Sequence, residues 1–217
     1  MDEASKTMAL YPLLLSEHLY GRILDIGAGL DPITKSAEVF DKVQGDAQEV
    51  HLHFPSESFD SVFSSHCLEH MVDPVSAIKS WFSLVKPGGY LMIMVPDEDF
   101  YEQGHFPSIF NSDHKATFTI SKSKSWSPRS FNCFDLCTSL DGEVVYLAQQ
   151  LDNYDMGKRS YKKLGMFKFC LTRHALRATL VLRIARRLSL IPIDQTGQDS
   201  STLAQICFVV KKNLIKS

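Results

Sequence analysis

The chain has 217 residues, 44% of them hydrophobic and 22% charged, with 23 Lys and Arg against 25 Asp and Glu and a formal net charge of −2. That length and mix can bury a full core as one domain, which excludes a disordered or fibrous protein. The charge balance and a pI near 6.4 speak against a long phosphate-tracking surface, so no nucleic-acid partner is expected.

In chain order, residues about 5–19 read as a helix, with Pro12 in a first turn or at a kink. The start of the chain is acidic and its apolar run short, unlike a signal peptide. Ile23–Ile26 is a buried strand, Glu38–Phe40 a short second one and 59–65 a third. Asp73 and Pro74 are an N-cap and first-turn pair for the next helix, which runs to the stop signal Lys86-Pro87-Gly88-Gly89. Strands follow at 90–96, 143–150 and 203–212. Strands alternating with helices predict an α/β fold with a sheet covered on both faces. No run approaches the ~20 uninterrupted apolar residues of a membrane span.

The five cysteines (Cys67, Cys133, Cys137, Cys170, Cys207) are odd in number and irregularly spaced. They read as reduced thiols of a cytoplasmic protein, and no metal is expected.

The chemistry centres on "RILDIGAGLDP", residues 22–32. Ligands on parallel sheets bind beyond the carboxyl ends of the strands, here at this glycine turn. A pyrophosphate cofactor wants a third glycine where Pro32 stands and an acid ~20 residues on. Asp41 lies only 12 residues past Gly29, which disfavours a nicotinamide dehydrogenase. Asp25 and Asp31 flank the turn and would repel a pyrophosphate. They suit a nucleoside that carries positive charge, such as S-adenosylmethionine with its sulfonium and ammonium.

"LDIGAG", "GDAQ" (45–48), "FDSVFSSHCLEHMVDP" (59–74) and "LVKPGGYLMIMVPDED" (84–99), in that order, resemble the class I S-adenosylmethionine-dependent methyltransferases. The stretch 95–128 is similar to a small bacterial subgroup associated with surface-polysaccharide or lipopolysaccharide synthesis. The resemblance implies a Rossmann-like fold with a mostly parallel central sheet and a final antiparallel strand. It implies one methyltransferase domain over 1–217, S-adenosylmethionine as cofactor, and a sugar or glycan-precursor hydroxyl as acceptor. Carried over to this chain, Gly27 and Gly29 form the turn under the methionine part and Asp25 stands near its ammonium. Asp41 takes the ribose hydroxyls, Asp46 and Ala47 meet the adenine, and Ser65 and His66 lie at the cofactor's edge. The short gap from Gly29 to Asp41 leaves room for only one or two helical turns, or none.

Methyl transfer to a hydroxyl benefits from a base, and histidine suits that task near neutral pH. "NSDHKATF" offers Asp113 and His114 in a polar loop between Phe110 and Phe118; His114 is the expected base, with His66 as second choice. Two rival functions are a nucleic-acid or other N-methyltransferase and a non-catalytic module that only binds the nucleoside. The "Asn/Asp-Pro-Pro-Tyr" tetrad of amino-directed nucleic-acid enzymes is absent; Ser64-Ser65-His66-Cys67 stands there.

Between Gly157 and Leu188 stand ten basic residues and no acidic one. Leu176, Leu180, Ile184 and Leu188 recur at helical spacing, with Arg173, Arg177 and Arg187 elsewhere on the wheel. That is an amphipathic basic helix inside an insertion at about 151–198. It would pack on its own domain, form a dimer contact, meet an anionic acceptor, or dock peripherally on an anionic inner-membrane face.

Overall fold

The computed structural model describes residues 3–120, 122–159 and 192–214. The chain opens with two short helices, α1 (Glu3–Leu10) and α2 (Pro12–His18). Pro12 occupies the first turn of α2, where its missing N–H costs nothing. Then come β1 (Ile23–Ile26), β2 (Glu38–Phe40), β3 (Phe59–Ser65), α3 (Pro74–Ser83) and β4 (Val85–Pro96). A small annex follows, made of β5 (Thr117–Thr119), β6 (Ser130–Asn132) and α4 (Cys133–Thr138). β7 (Gly142–Gln150) and β8 (Gln205–Lys212) complete the strands.

Six strands form one sheet in the order β2-β1-β3-β4-β8-β7. The first four are mutually parallel, and β8 runs antiparallel to both β4 and β7. This is the expected Rossmann-like methyltransferase architecture with its antiparallel last strand.

Alternation along the strands explains the two covered faces. Leu91, Ile93, Val95, Ile206, Phe208 and Val210 point into one core with Trp81 and Phe82 of α3. Their neighbours Met92, Met94, Cys207 and Val209 point into the other, with Ala4 of α1 and Leu15 of α2. Successive strand residues face opposite sides, so a strand buried on both faces reads as a continuous apolar run.

The N-cap reading of α3 holds in detail. The Asp73 carboxylate accepts the backbone N–H groups of Val75 and Ser76 at 3.1 and 3.2 Å. The end of the helix differs from expectation. α3 stops at Ser83, and Lys86–Gly89 form a bulge inside β4, across the register shift between Phe59 and Ser61. Gly88 has φ +80°, and a Cβ on Gly89 would stand 2.5 Å from the Asp60 carbonyl oxygen. The two glycines thus serve a close strand approach rather than a helix stop.

Between Gly29 and β2 the chain makes turns with no helix. The annex, with two strands of three residues each and the six-residue α4, is not among the elements read from the sequence. The expected basic insertion follows β7, but residues 160–191, where its amphipathic helix is expected, lie outside the described residues. Among the described residues no helix is long and apolar enough to cross a membrane.

Candidate active site

A cavity of about 320 Å³ opens at the carboxyl ends of β1 and β3. Glu3 and Ala4 of α1, Asp25, the turn from Gly27 to Asp31, Ser65 and His66 line it. Parallel sheets leave such a crevice where neighbouring connections run to opposite sides.

The turn needs its glycines. Gly27 has φ +79°, and a Cβ there would meet the Cys67 Cβ and Sγ at 2.6 and 2.7 Å. Its N–H donates to the Phe40 carbonyl at 2.8 Å, tying the turn to β2. Gly29 has φ +57° and donates its N–H to Asp41 Oδ2 at 2.7 Å. The other Asp41 oxygen accepts from Lys42 N–H. Asp41 therefore sets the shape of the turn from the end of β2.

The cavity is acidic. Asp25 is 1% exposed and accepts the Ile33 N–H at 2.7 Å. Burial pushes its carboxyl up to about 7 against the pull of that N–H, with the charges of Asp31 and Asp41 adding to the rise. Asp31 is bound by Ser5 of α1, and Glu3 by the buried Lys6 ammonium, which also reaches the Thr196 carbonyl. The buried Ser65 hydroxyl has no hydrogen-bond partner. Carboxylates around a glycine turn and an unspent hydroxyl fit a cationic nucleoside such as S-adenosylmethionine. Asp25, Glu3 and Asp31 would meet its positive charges, and Ser65 would give or take one hydrogen bond.

His66 closes one end with φ +52°. Its Nε2 donates to Gln205 Oε1 at 2.9 Å, and its Nδ1 stands 3.5 Å from Glu69 Oε1. Burial works against a charged ring, but Glu69 outweighs it and carries His66 up to about 9. Glu69 moves down: its burial opposes the charge, and His66 more than offsets that.

Asp25, Gly27, Gly29, Ser65 and His66 thus meet in one cavity, with Asp41 joined through Gly29. Asp46 and Ala47 are not in its lining. Asp46 caps the 3-10 helix Ala47–Leu52 through Gln48 N–H, and the Ala47 carbonyl accepts the Trp81 indole N–H. His114 does not sit in an open polar loop. It is 5% exposed, and its Nδ1 is 2.6 Å from Glu102 Oε1. It is not among the residues that line the cavity, and its Nε2 stands 3.9 Å from Glu69 Oε1. Asp113 is exposed and faces His70 Nδ1 at 3.1 Å, turned away to a different histidine than its sequence neighbour.

Sequence reading missed Glu3 and Ala4, whose place depends on how α1 folds back. It also missed Glu102, whose partner lies 12 residues on.

The methyltransferase-domain family matches residues 21–93, the part from β1 into β4. A 52-residue stretch, 24% of this chain, is 40% identical to the ubiquinone/menaquinone biosynthesis C-methyltransferase UbiE of Vibrio campbellii. The UbiE of Vibrio cholerae matches to the same extent. The match spans about a fifth of the length of these curated relatives (19%). Among solved structures, an S-adenosylmethionine-dependent methyltransferase from Thermotoga maritima aligns with TM-score 0.51 at 16% identity, over 96% of this chain and 88% of that one. Another from Archaeoglobus fulgidus aligns with TM-score 0.51 at 15% identity, over 96% and 92%. Residues 21–93 thus match the methyltransferase-domain family, and the described chain around them has the Rossmann-like fold seen in S-adenosylmethionine-dependent methyltransferases.

Proposed function

We propose that the chain transfers the methyl group of S-adenosylmethionine to a hydroxyl of a small polar acceptor, a sugar or glycan precursor. The observation that carries the transfer is the acidic glycine-turn cavity: Asp25, Asp31 and Glu3 gather around Gly27 and Gly29, a lining that favours a sulfonium and an ammonium. The sulfonium is an activated leaving group, so in-line transfer asks the protein mainly to position two reactants and strip their water. His66, at the cavity's end, is the side chain we place against the acceptor as its hydrogen-bonding partner.

An anionic acceptor, such as a sugar linked to a nucleotide or lipid pyrophosphate, is supported by composition. Residues 157–188 hold ten Lys and Arg and no acid in a chain whose net charge is −2. The same charge would favour work at the inner face of an anionic membrane.

The test is a screen of nucleotide sugars and glycan fragments with isotopically labelled S-adenosylmethionine, read by mass spectrometry. We expect a labelled methyl on an acceptor oxygen. Label on nitrogen or carbon overturns the hydroxyl reading. Tight S-adenosylhomocysteine binding without transfer to any member of the panel favours a binding module.

A further inference from the structure

We propose that Glu69, His70 and His114 bind a divalent first-row transition-metal ion, of which Zn(II) is the representative. Each offers one ligand atom, and the three atoms lie within 4.8 Å of one another. Ligands on a tetrahedral ion stand about 3.4 Å apart at bonds of about 2.0–2.2 Å. Closure therefore asks for about an ångström of side-chain movement.

Glu69 is fully buried, and neither of its oxygens accepts a hydrogen bond. A buried carboxylate is stable when paired, hydrogen-bonded or bound to a metal. Here its neighbours are histidine nitrogens, at 3.5 Å for His66 Nδ1 and 3.9 Å for His114 Nε2. Glu102, also fully buried, has one oxygen on His114 and the other without a partner. Two buried carboxylates thus share a neighbourhood of histidines, and a dication would balance them.

The histidines are oriented as ligands usually are. A metal-bound imidazole typically donates its second nitrogen to a carboxylate or carbonyl, which fixes tautomer and ring direction. Glu102 holds His114 Nδ1 in that way, leaving Nε2 directed at Glu69. The Asp113 carbonyl and carboxylate face His70 Nδ1 at 3.2 and 3.1 Å. The backbone also joins the two contributing segments: Lys115 and Ala116 donate their N–H groups to the Glu69 carbonyl at 2.8 and 3.2 Å. The His70 side chain is 23% exposed, which gives the ion a way in. Two imidazoles and one carboxylate leave at least one coordination position open. Residues 44 positions apart supply the ligands, so no local spacing signals them.

The rival reading is a proton-sharing histidine–carboxylate cluster that holds no ion. The test uses the tag-free full chain, stripped with a chelator and titrated with Zn(II) against a chromophoric competitor, with metal content measured by mass spectrometry. Co(II) is titrated in parallel for its visible d–d bands. We expect one ion per chain. Glu69→Gln and His114→Ala should each weaken binding at least 100-fold, and Glu102→Gln 10- to 100-fold. Circular dichroism checks each fold; should a buried variant not fold, the half-buried His70→Ala takes its place with the same expectation. Binding of S-adenosylhomocysteine is a separate readout, so failure of the methyltransferase reading leaves this one standing. Less than a tenth of an ion per chain, or Zn(II) affinity unchanged in folded variants, overturns the site.

Discussion

Asp31 takes both hydrogen bonds that Ser5 can donate, the N–H at 2.8 Å on Oδ2 and the hydroxyl at 2.5 Å on Oδ1. The glycine turn thereby holds α1 in place as one wall of the cavity. A hydrogen bond to a charged group contributes about 1.5–3 kcal/mol. Ser5→Ala is expected to raise the S-adenosylhomocysteine dissociation rate roughly tenfold, and Asp31→Ala to raise it further. Stopped-flow displacement measures this; an unchanged rate in both would show that α1 does not retain the cofactor.

Asp25 makes the protein's response to pH depend on the cofactor. Its carboxyl is pushed up to about 7, chiefly by burial, so the native chain keeps a proton that the unfolded chain has released. Stability therefore falls as pH rises from about 4 to 7, by on the order of 4 kcal/mol at most from this group. An ammonium beside Asp25 favours its ionised form, so S-adenosylhomocysteine affinity should climb over the same range and level off above it. Asp25→Asn should flatten both profiles, raising the Tm of the ligand-free protein at pH 8 while weakening binding. Thermal melts and calorimetric titrations across pH 5–8 check this.

The two turn glycines should respond differently to alanine. Both have positive φ, but a Cβ at Gly27 meets Cys67 at 2.6 Å whereas at Gly29 the nearest atom is 4.0 Å away. Gly29→Ala is expected to cost about 1 kcal/mol, the conformational penalty alone. Gly27→Ala should cost visibly more, and Gly27→Val should abolish S-adenosylhomocysteine binding with a further drop in Tm. Full affinity in Gly27→Val would misplace the site.

Glu98 holds the annex to the sheet. Fully buried, it accepts from Thr117, Lys122, Ser125 and Ser130. Glu98→Ala leaves those donors without their acceptor and is expected to destabilise the fold by about 2–4 kcal/mol. Urea unfolding measures the change; a loss below about 0.5 kcal/mol would mean that water replaces the carboxylate freely.

Arg183, Arg186 and Arg187 test the anionic-acceptor reading. Changed together to Gln, they should weaken binding to anionic-lipid vesicles or raise the KM for a phosphorylated acceptor. Each charge near such a surface contributes about 1 kcal/mol, and the effect should fade in high salt. No response at low ionic strength would remove both roles.

Much of the sheet was legible because strands buried on two faces are apolar runs with sharp ends. β1, β2 and β3 have the bounds that the sequence suggests, with Gly27 and Asp41 marking where the first two end. The glycine turn was legible for the same reason, and Asp73-Pro74 marked its helix correctly. What stayed hidden depends on long-range closure. Glu3 reaches the cavity because α1 folds back over residues 27–31. His114 turns inward because Glu102 waits in the core, while adjacent Asp113 turns out to His70. Sequence neighbours on a loop share no face, so their polarity says little about which one is buried.

β8 lies between β4 and β7, inside the sheet, although it is synthesised after the other described strands. Until residues 205–212 leave the ribosome, β4 and β7 each present an unpaired edge to solvent, both ready to join another chain. Their proper partner arrives after the whole 151–204 excursion, a long closure that is slow to form. A transcript cut short before residue 205 would therefore encode an aggregating chain rather than a smaller working one, and recombinant yield should depend more on chaperones during synthesis than on the stability of the finished protein.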